Sequence, residues 1–261
     1  MLILIGLGME MKDLSVKSLE ELKKASKIYL EQYTTFISGE YLDYLKDETD
    51  KEIRVIGRKE LEEGAKETIK GAKTGDVIIL VPGDPLIATT HHTTLWNTAN
   101  RLGIKVVVYH ATSIYSAAVG ESGLDVYKFG PPITIPFWAA KYKPTSFLDA
   151  INKNMRNSEH TLVLLDLEQK EKRPMRIMEA AELLKTADAA KKYDIINDDL
   201  QLLVLGDIGK KTEQISYLKF KDLGKIAAPL RGKNPLNNNP LRTHLRRRRI
   251  SLQIPCQIIR P

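Results

Sequence analysis

Several apolar runs in the chain are unbroken rather than alternating. They are LILIGL at 2–7, VIILV at 77–81, IKVVVYH at 104–110, TLVLLDL at 161–167 and QLLVLGDIG at 201–209. A strand with one wet face alternates apolar and polar residues, whereas a run without alternation is buried on both faces, as in a parallel sheet covered by helices. KIYLEQY (27–33), EIRVI (52–56), PITIPF (132–137) and ISYLKF (215–220) read as further extended segments. Helical spacing lies between them. Val16, Leu19 and Leu22 share one face, with Ser15 or Ser18 as N-cap, and Ser18 with Glu21 fits a capping box. Segments 60–73, 90–103, 113–123, 144–155 and 176–193 also read as helices, with Gly103 stopping the second of these. The alternation predicts an α/β fold of two α/β domains, 1–110 and 111–230, with no internal repeat.

Residues 231–261 have another character. They hold three consecutive Asn, four consecutive Arg and four Pro, with no acidic residue. Such composition predicts an irregular, poorly ordered basic tail. It also changes the meaning of the net charge of +7. Eight Lys/Arg lie between Pro229 and Pro261, so the rest of the chain carries 32 basic against 33 acidic residues. The folded body is not basic, no specific nucleic acid is expected as partner, and RNA binding through Arg246–Arg249 would be a property of the tail. One cysteine, Cys256, excludes an intramolecular disulfide and fits a reducing cytoplasm. No apolar run approaches the roughly 20 residues of a membrane span. MLILIGLG lacks a basic lead-in, so it reads as a buried strand rather than a signal segment.

Two loops carry candidate chemistry. Gly6-x-Gly8 follows the first strand, and Glu31 lies about 25 residues on, loosely as in a dinucleotide site. Met11 stands where the third glycine belongs, and the long loop places the next helix poorly for a pyrophosphate, which weakens a nicotinamide oxidoreductase. The second loop, Pro82-Gly83-Asp84-Pro85, breaks the VIILV strand abruptly. Ligands of open α/β sheets bind outside strand ends. Two prolines stiffen the loop, a glycine lets backbone approach a ligand, and the acid presents or anchors a charge; a plain turn is the alternative. His91 and His92 are adjacent and lack the i, i+4 spacing of metal helices, so no metal is expected and loop packing or capping is preferred. Tyr127, Phe129, Phe137 and Trp138 are assigned to the core by default, with the lip of a substrate cleft as alternative. Asp166 reads as a turn cap, and 168–173 as a solvated loop that could meet a protein surface.

IGLG at the N-terminus, PGDP about 75 residues later and the block ATSIYSAAVGESGLDVYKFG (111–130) together resemble the tetrapyrrole-methylase superfamily. They are most similar to its branch that modifies a histidine of elongation factor 2 in diphthamide biosynthesis. The similarity runs from residue 1 to about 228 and includes TLVLLDL, Arg173, Met175, Glu179 and Ala180. It implies two α/β domains with a cleft holding folded S-adenosylmethionine, and a homodimer. It implies methylation, three times in archaeal members, of the amino group on a 3-amino-3-carboxypropyl-histidine to give diphthine. By match to the family's positions, the cofactor contacts would be Met9, Asp84, Ile87, Ser113, Ile114, Leu165, Ile208 and, where the resemblance fades, Ala228. The sister reading is methylation of a tetrapyrrole or precorrin. The substrate amine resembles an α-amino group, with a reference pKa of about 8, so alignment and water exclusion do most of the work and no catalytic base is assigned. The chain departs from the family at Thr112, where archaeal relatives often have proline, and at the polar GDIG of 206–209. It departs most after Leu230, where RGKNPLNNN replaces the expected last strand, as a change of reading frame would.

Overall fold

The computed structural model describes residues 1–168, 173–227 and 256–259. It divides into two compact units. One comprises Met1–Ala117 with Ile208–Lys211; the other comprises Ala118–Asp207 with described residues from Thr212 onward.

The first unit is a five-stranded parallel sheet. Its strands are β1 (Leu2–Gly6), β2 (Lys27–Glu31), β3 (Ile53–Ile56), β4 (Val77–Val81) and β5 (Val106–Tyr109), in the order β3-β2-β4-β1-β5. β1 pairs with β4 and β5 in register, Leu4 opposite Ile79 and Val108. Each strand feeds both faces. Ile3, Ile5, Ile78 and Leu80 pack with Leu22, Tyr41 and Leu45, while Leu2, Leu4, Val77 and Ile79 pack with Leu61, Ile69, Leu95 and Ala99. The unbroken apolar runs are explained by this double coverage. The helices Val16–Lys24 and Gly39–Thr49 cover the first face; Arg58–Leu61, Ala65–Ile69 and the turn His92–Trp96 continuing as Asn97–Arg101 cover the second.

The topology has a consequence for function. After β1 the chain crosses to one face of the sheet, and after the adjacent β4 it crosses to the other. Loops that part in opposite directions open a crevice at the carboxyl ends of the two strands, where ligands of open α/β sheets bind.

The second unit is built on a mixed sheet of β6 (Ile133–Ile135), β7 (Thr161–Leu165), β10 (Gln201–Gly206), β11 (Gln214–Lys219) and β12 (Cys256–Ile259), in the order β11-β10-β12-β7-β6. A small two-stranded sheet pairs β8 (Leu167–Glu168) antiparallel with β9 (Arg173–Pro174). The helices Ser146–Arg156 and Ile177–Lys191 contribute Phe147, Leu148, Ile151, Ala180 and Leu184 to one core with Val163, Leu165, Leu202 and Val204.

β12 corrects an expectation. The segment read as a poorly ordered tail supplies the central strand of this sheet, antiparallel to both β10 and β7, with Ile258 opposite Leu203 and Leu162. Ile258 and Ile259 are fully buried. Two consecutive buried side chains need a strand covered on both faces, and CQII supplies the β-branched residues for it. A last strand is therefore present in the sheet; the rest of 231–261 lies outside the described residues. Among the candidate core aromatics, Phe137 and Trp138 pack on the second core, but Tyr127 is 90% exposed because it sits on the short turn Val126–Lys128. Ser15 caps the first helix by accepting from the Ser18 amide, so Ser18 and Glu21 form no capping box. Helix 60–73 is broken into pieces at Gly64, and Gly39–Thr49, capped by Ser38, is a helix that the sequence reading missed.

Candidate functional site

Three loops meet at the carboxyl ends of β4, β1 and β5. The loop after β1 and the loop after β4 are tied backbone to backbone, the Gly83 amide donating to the Gly8 carbonyl at 2.8 Å and the Gly8 amide to the Gly83 carbonyl at 3.2 Å. Gly8 and Gly83 have φ of +69° and +72°, a left-handed conformation that a side chain disfavours. Gly6 has no room for a side chain. A Cβ there would lie 2.6 Å from the Gly83 carbonyl oxygen and 2.7 Å from the Ala111 Cβ. The glycines of IGLG and PGDP are thus explained by a close approach of three backbones.

Side chains fix the loops from beneath. Asp13 Oδ2 accepts from the amides of Met9 and Glu10 at 2.8 and 3.0 Å. Tyr41, fully buried, donates its hydroxyl to the Leu7 carbonyl at 3.0 Å, and burial pushes its phenol far above the ordinary range. Asp84 is buried; its Oδ1 accepts from the Leu86 amide at 2.9 Å, and its Oδ2 lies 2.8 Å from His110 Nδ1 and accepts from the Ala111 amide at 3.3 Å. One carboxylate therefore joins the PGDP loop to the end of β5. Ala88 is held at φ +58°, a left-handed alanine in the same loop. Such strain costs on the order of 1–2 kcal/mol and concentrates at functional sites. His91 is fully buried, its Nδ1 3.1 Å from the Pro85 carbonyl and its Nε2 without a hydrogen-bond partner. Burial lowers its pKa, against the Pro85 carbonyl that raises it.

Glu31 is also fully buried, and burial pushes its carboxyl up while hydrogen bonds from Thr34 and Tyr33 oppose that shift. Oε1 accepts from the amides of Tyr33 and Thr34, and Oε2 from the Thr34 hydroxyl at 2.6 Å. Both oxygens are engaged by the loop's own residues, which speaks against the ribose contact of a dinucleotide site.

The residue pattern of the tetrapyrrole (corrin/porphyrin) methylases matches residues 1–224. The chain belongs to that methylase family. Its curated relatives include the diphthine synthase of Methanocaldococcus jannaschii, 39% identical over 85% of this methylase and 87% of the relative. Another is the diphthine synthase of Methanothermobacter thermautotrophicus, 37% identical over 86% of both chains. Among solved structures, a crystal structure of diphthine synthase superposes with a TM-score of 0.77 at 28% identity, covering 100% of the methylase and 90% of that chain.

The structure distributes the residues expected to contact the methylase's cofactor as follows. Met9, Asp84, Ser113 and Ile114 lie on the three joined loops of the first unit and are buried. Ile87, on the PGDP loop, is an apolar side chain left 45% exposed. Ser113 precedes the helix Ile114–Glu121; its hydroxyl accepts from the Tyr115 amide at 3.2 Å and its carbonyl from the Ala117 amide at 2.9 Å. Ile208, buried, belongs with the first unit although the chain around it belongs to the second. Leu165 ends β7 in the core of the second unit. Ala228 lies outside the described residues. Asp166 works as the turn cap expected of it, accepting from the amides of Phe137 and Leu167 at 2.9 and 2.8 Å. The sequence reading missed His110 and Asp13. His110 is 26 residues from Asp84, and no local spacing signals that pair.

Proposed function

We propose that the chain is an S-adenosylmethionine-dependent methyltransferase of diphthamide biosynthesis. It methylates the amino group of the 3-amino-3-carboxypropyl-histidine on elongation factor 2, three times to give diphthine. The observation that carries this reading is the Gly6–Gly83–Ala111 junction at the carboxyl ends of β1, β4 and β5, in a chain alike over most of its length to diphthine synthases. A crevice floored by bare backbone and edged by apolar side chains fits a nucleoside carrying a sulfonium better than a pyrophosphate, which would need free amides at a helix N-terminus.

In this reading Met9, Ile87, Ile114 and Ile208 provide apolar contact and Ser113 a hydroxyl. Asp84 acts by holding the PGDP loop to β5. Leu165 and Ala228 complete the set from the family's positions. When bound, S-adenosylmethionine supplies an activated methyl group, so the chain's own contribution is to align the amine, exclude water and dispose of protons. The chain works as a homodimer, which light scattering at twice the chain mass would verify. Among the described residues no helix is long and apolar enough to cross a membrane. The chain's substrate in this reading, elongation factor 2, supports a place in the cytoplasm.

The test offers two acceptors. Release of S-adenosylhomocysteine is followed with elongation factor 2 bearing the aminocarboxypropyl-histidine and, separately, with a precorrin. Release with the protein alone is expected; release with the tetrapyrrole alone would replace this reading with its sister.

A further inference from the structure

The residues expected to contact the cofactor include the buried Asp84 but not the exposed histidine attached to it. His110 directly follows β5, and its side chain is 65% exposed. The acid it meets, Asp84, is 4% exposed. Nδ1 and Oδ2 are 2.8 Å apart, and the carboxylate is further fixed by the amides of Leu86 and Ala111. An ionised carboxylate can only accept, so Nδ1 carries the ring proton and the lone pair of the neutral ring lies on Nε2. A buried acceptor thus sets the tautomer and orientation of a ring whose side chain is mostly exposed at the end of β5. This is the arrangement in which imidazole accepts protons. Asp84 is the charged partner of the ring among the described residues; the neighbouring Tyr109 carries a cation, Lys17 Nζ, 5.1 Å from its own ring centre.

We infer that His110 Nε2 takes the proton from the substrate amine before each methyl transfer. The inference rests on the methyltransferase reading above and adds to it the base that reading lacks. With a pKa of about 8, only roughly one amine in thirty is neutral at pH 6.5. In the step itself an N–H bond of the ammonium breaks, its electron pair stays on nitrogen, and the proton passes to Nε2. The imidazolium so formed is balanced by Asp84 and returns its proton to water. The freed pair forms the new N–C bond as the C–S pair departs with sulfur. The nitrogen is again a cation, so a second or third transfer needs the same deprotonation.

The experiment compares the full-length chain with His110→Asn, whose amide can still donate to Asp84, and with His110→Ala. Binding of S-adenosylhomocysteine, the pH profile of methyl transfer to the modified elongation factor, and the ring nitrogens of His110 by NMR are measured. The expected result for both variants is S-adenosylhomocysteine binding within threefold of wild type and a rate at pH 6.5 lower by about 100-fold. Their profile should rise only in the range of the amine itself, and added imidazole should restore rate to His110→Ala. In the wild-type protein the neutral ring should carry its proton on Nδ1. A His110→Asn rate within threefold of wild type with an unchanged profile overturns the inference, as does a neutral ring protonated on Nε2. If wild type transfers no methyl group to the modified factor, the methyltransferase reading falls and the inference with it. If wild type is active and His110→Asn equals it, the inference falls alone.

Discussion

Gly6→Ala adds one methyl group where the structure leaves no space for it. The new Cβ would sit 2.6 Å from the Gly83 carbonyl oxygen, 2.7 Å from the Ala111 Cβ and 3.0 Å from the Pro85 Cδ. Two of these belong to backbone or its first carbon and the third to a ring, so none can swing aside as a long side chain would. Relief requires the loops after β4 and β5 to move away from β1, which would pull on the Gly8–Gly83 bridge. Overpacking of this kind costs about 1–3 kcal/mol. At a urea dependence of about 2 kcal/mol/M, a 2 kcal/mol loss moves the midpoint down by about 1 M. The chain has two tryptophans, Trp96 in the first unit and Trp138 in the second, so a Trp138→Phe background lets fluorescence report the first unit. Gly39→Ala is the control, since a Cβ there meets nothing within 4 Å and the residue begins a helix; it should be neutral or stabilising by up to about 1 kcal/mol. Calorimetry on the same proteins should show S-adenosylhomocysteine affinity falling at least tenfold in Gly6→Ala and unchanged in Gly39→Ala. A Gly6→Ala protein with the midpoint and affinity of wild type would refute the claim that three backbones converge there.

Three further outcomes follow from the same geometry. Asp84→Ala should weaken S-adenosylhomocysteine binding at least tenfold by calorimetry, since the carboxylate that ties the PGDP loop to β5 is gone; equal affinity would count against its place in the site. Ile258→Ala should destabilise the second unit by about 2–5 kcal/mol, read from Trp138 fluorescence in urea, because the side chain is fully buried in the central strand; a shift under 0.5 kcal/mol would contradict that position. His91 has a folded pKa lowered by burial, so the unfolded chain binds its proton first as pH falls below the ordinary value of about 6.5, and stability drops in that window. His91→Gln should show a shallower loss between about pH 6.5 and 5, and parallel stability curves for the two proteins would reject the assignment.

Much of the first unit was legible because β1 and β4 are buried on both faces, and such strands announce themselves as unbroken apolar runs. The helix Gly39–Thr49 was overlooked although its signals are present: Ser38 caps it through the Tyr41 amide, and Tyr41 and Leu45 are spaced for one face. β12 was illegible for a different reason. It is four residues long, and its partners, β7 and β10, lie some fifty to a hundred residues earlier in the chain. Nothing local tells a short apolar stretch in a basic segment that a slot between two strands awaits it. At the site, the glycines and Asp84 stood out by type and position. Two of the partners that give them meaning, Ala111 and His110, came only from the fold, because contacts between loops that follow different strands leave no spacing to read; Asp13 lies only three and four residues from the amides it accepts from and was overlooked in its own loop.

The most direct test of the account is the intact mass of elongation factor 2 carrying the aminocarboxypropyl-histidine, measured after incubation with the full-length chain and S-adenosylmethionine. A gain in methyl-mass steps ending at three is expected, with no gain on factor that lacks the modification. An unchanged mass, from protein shown to bind S-adenosylhomocysteine, would contradict it.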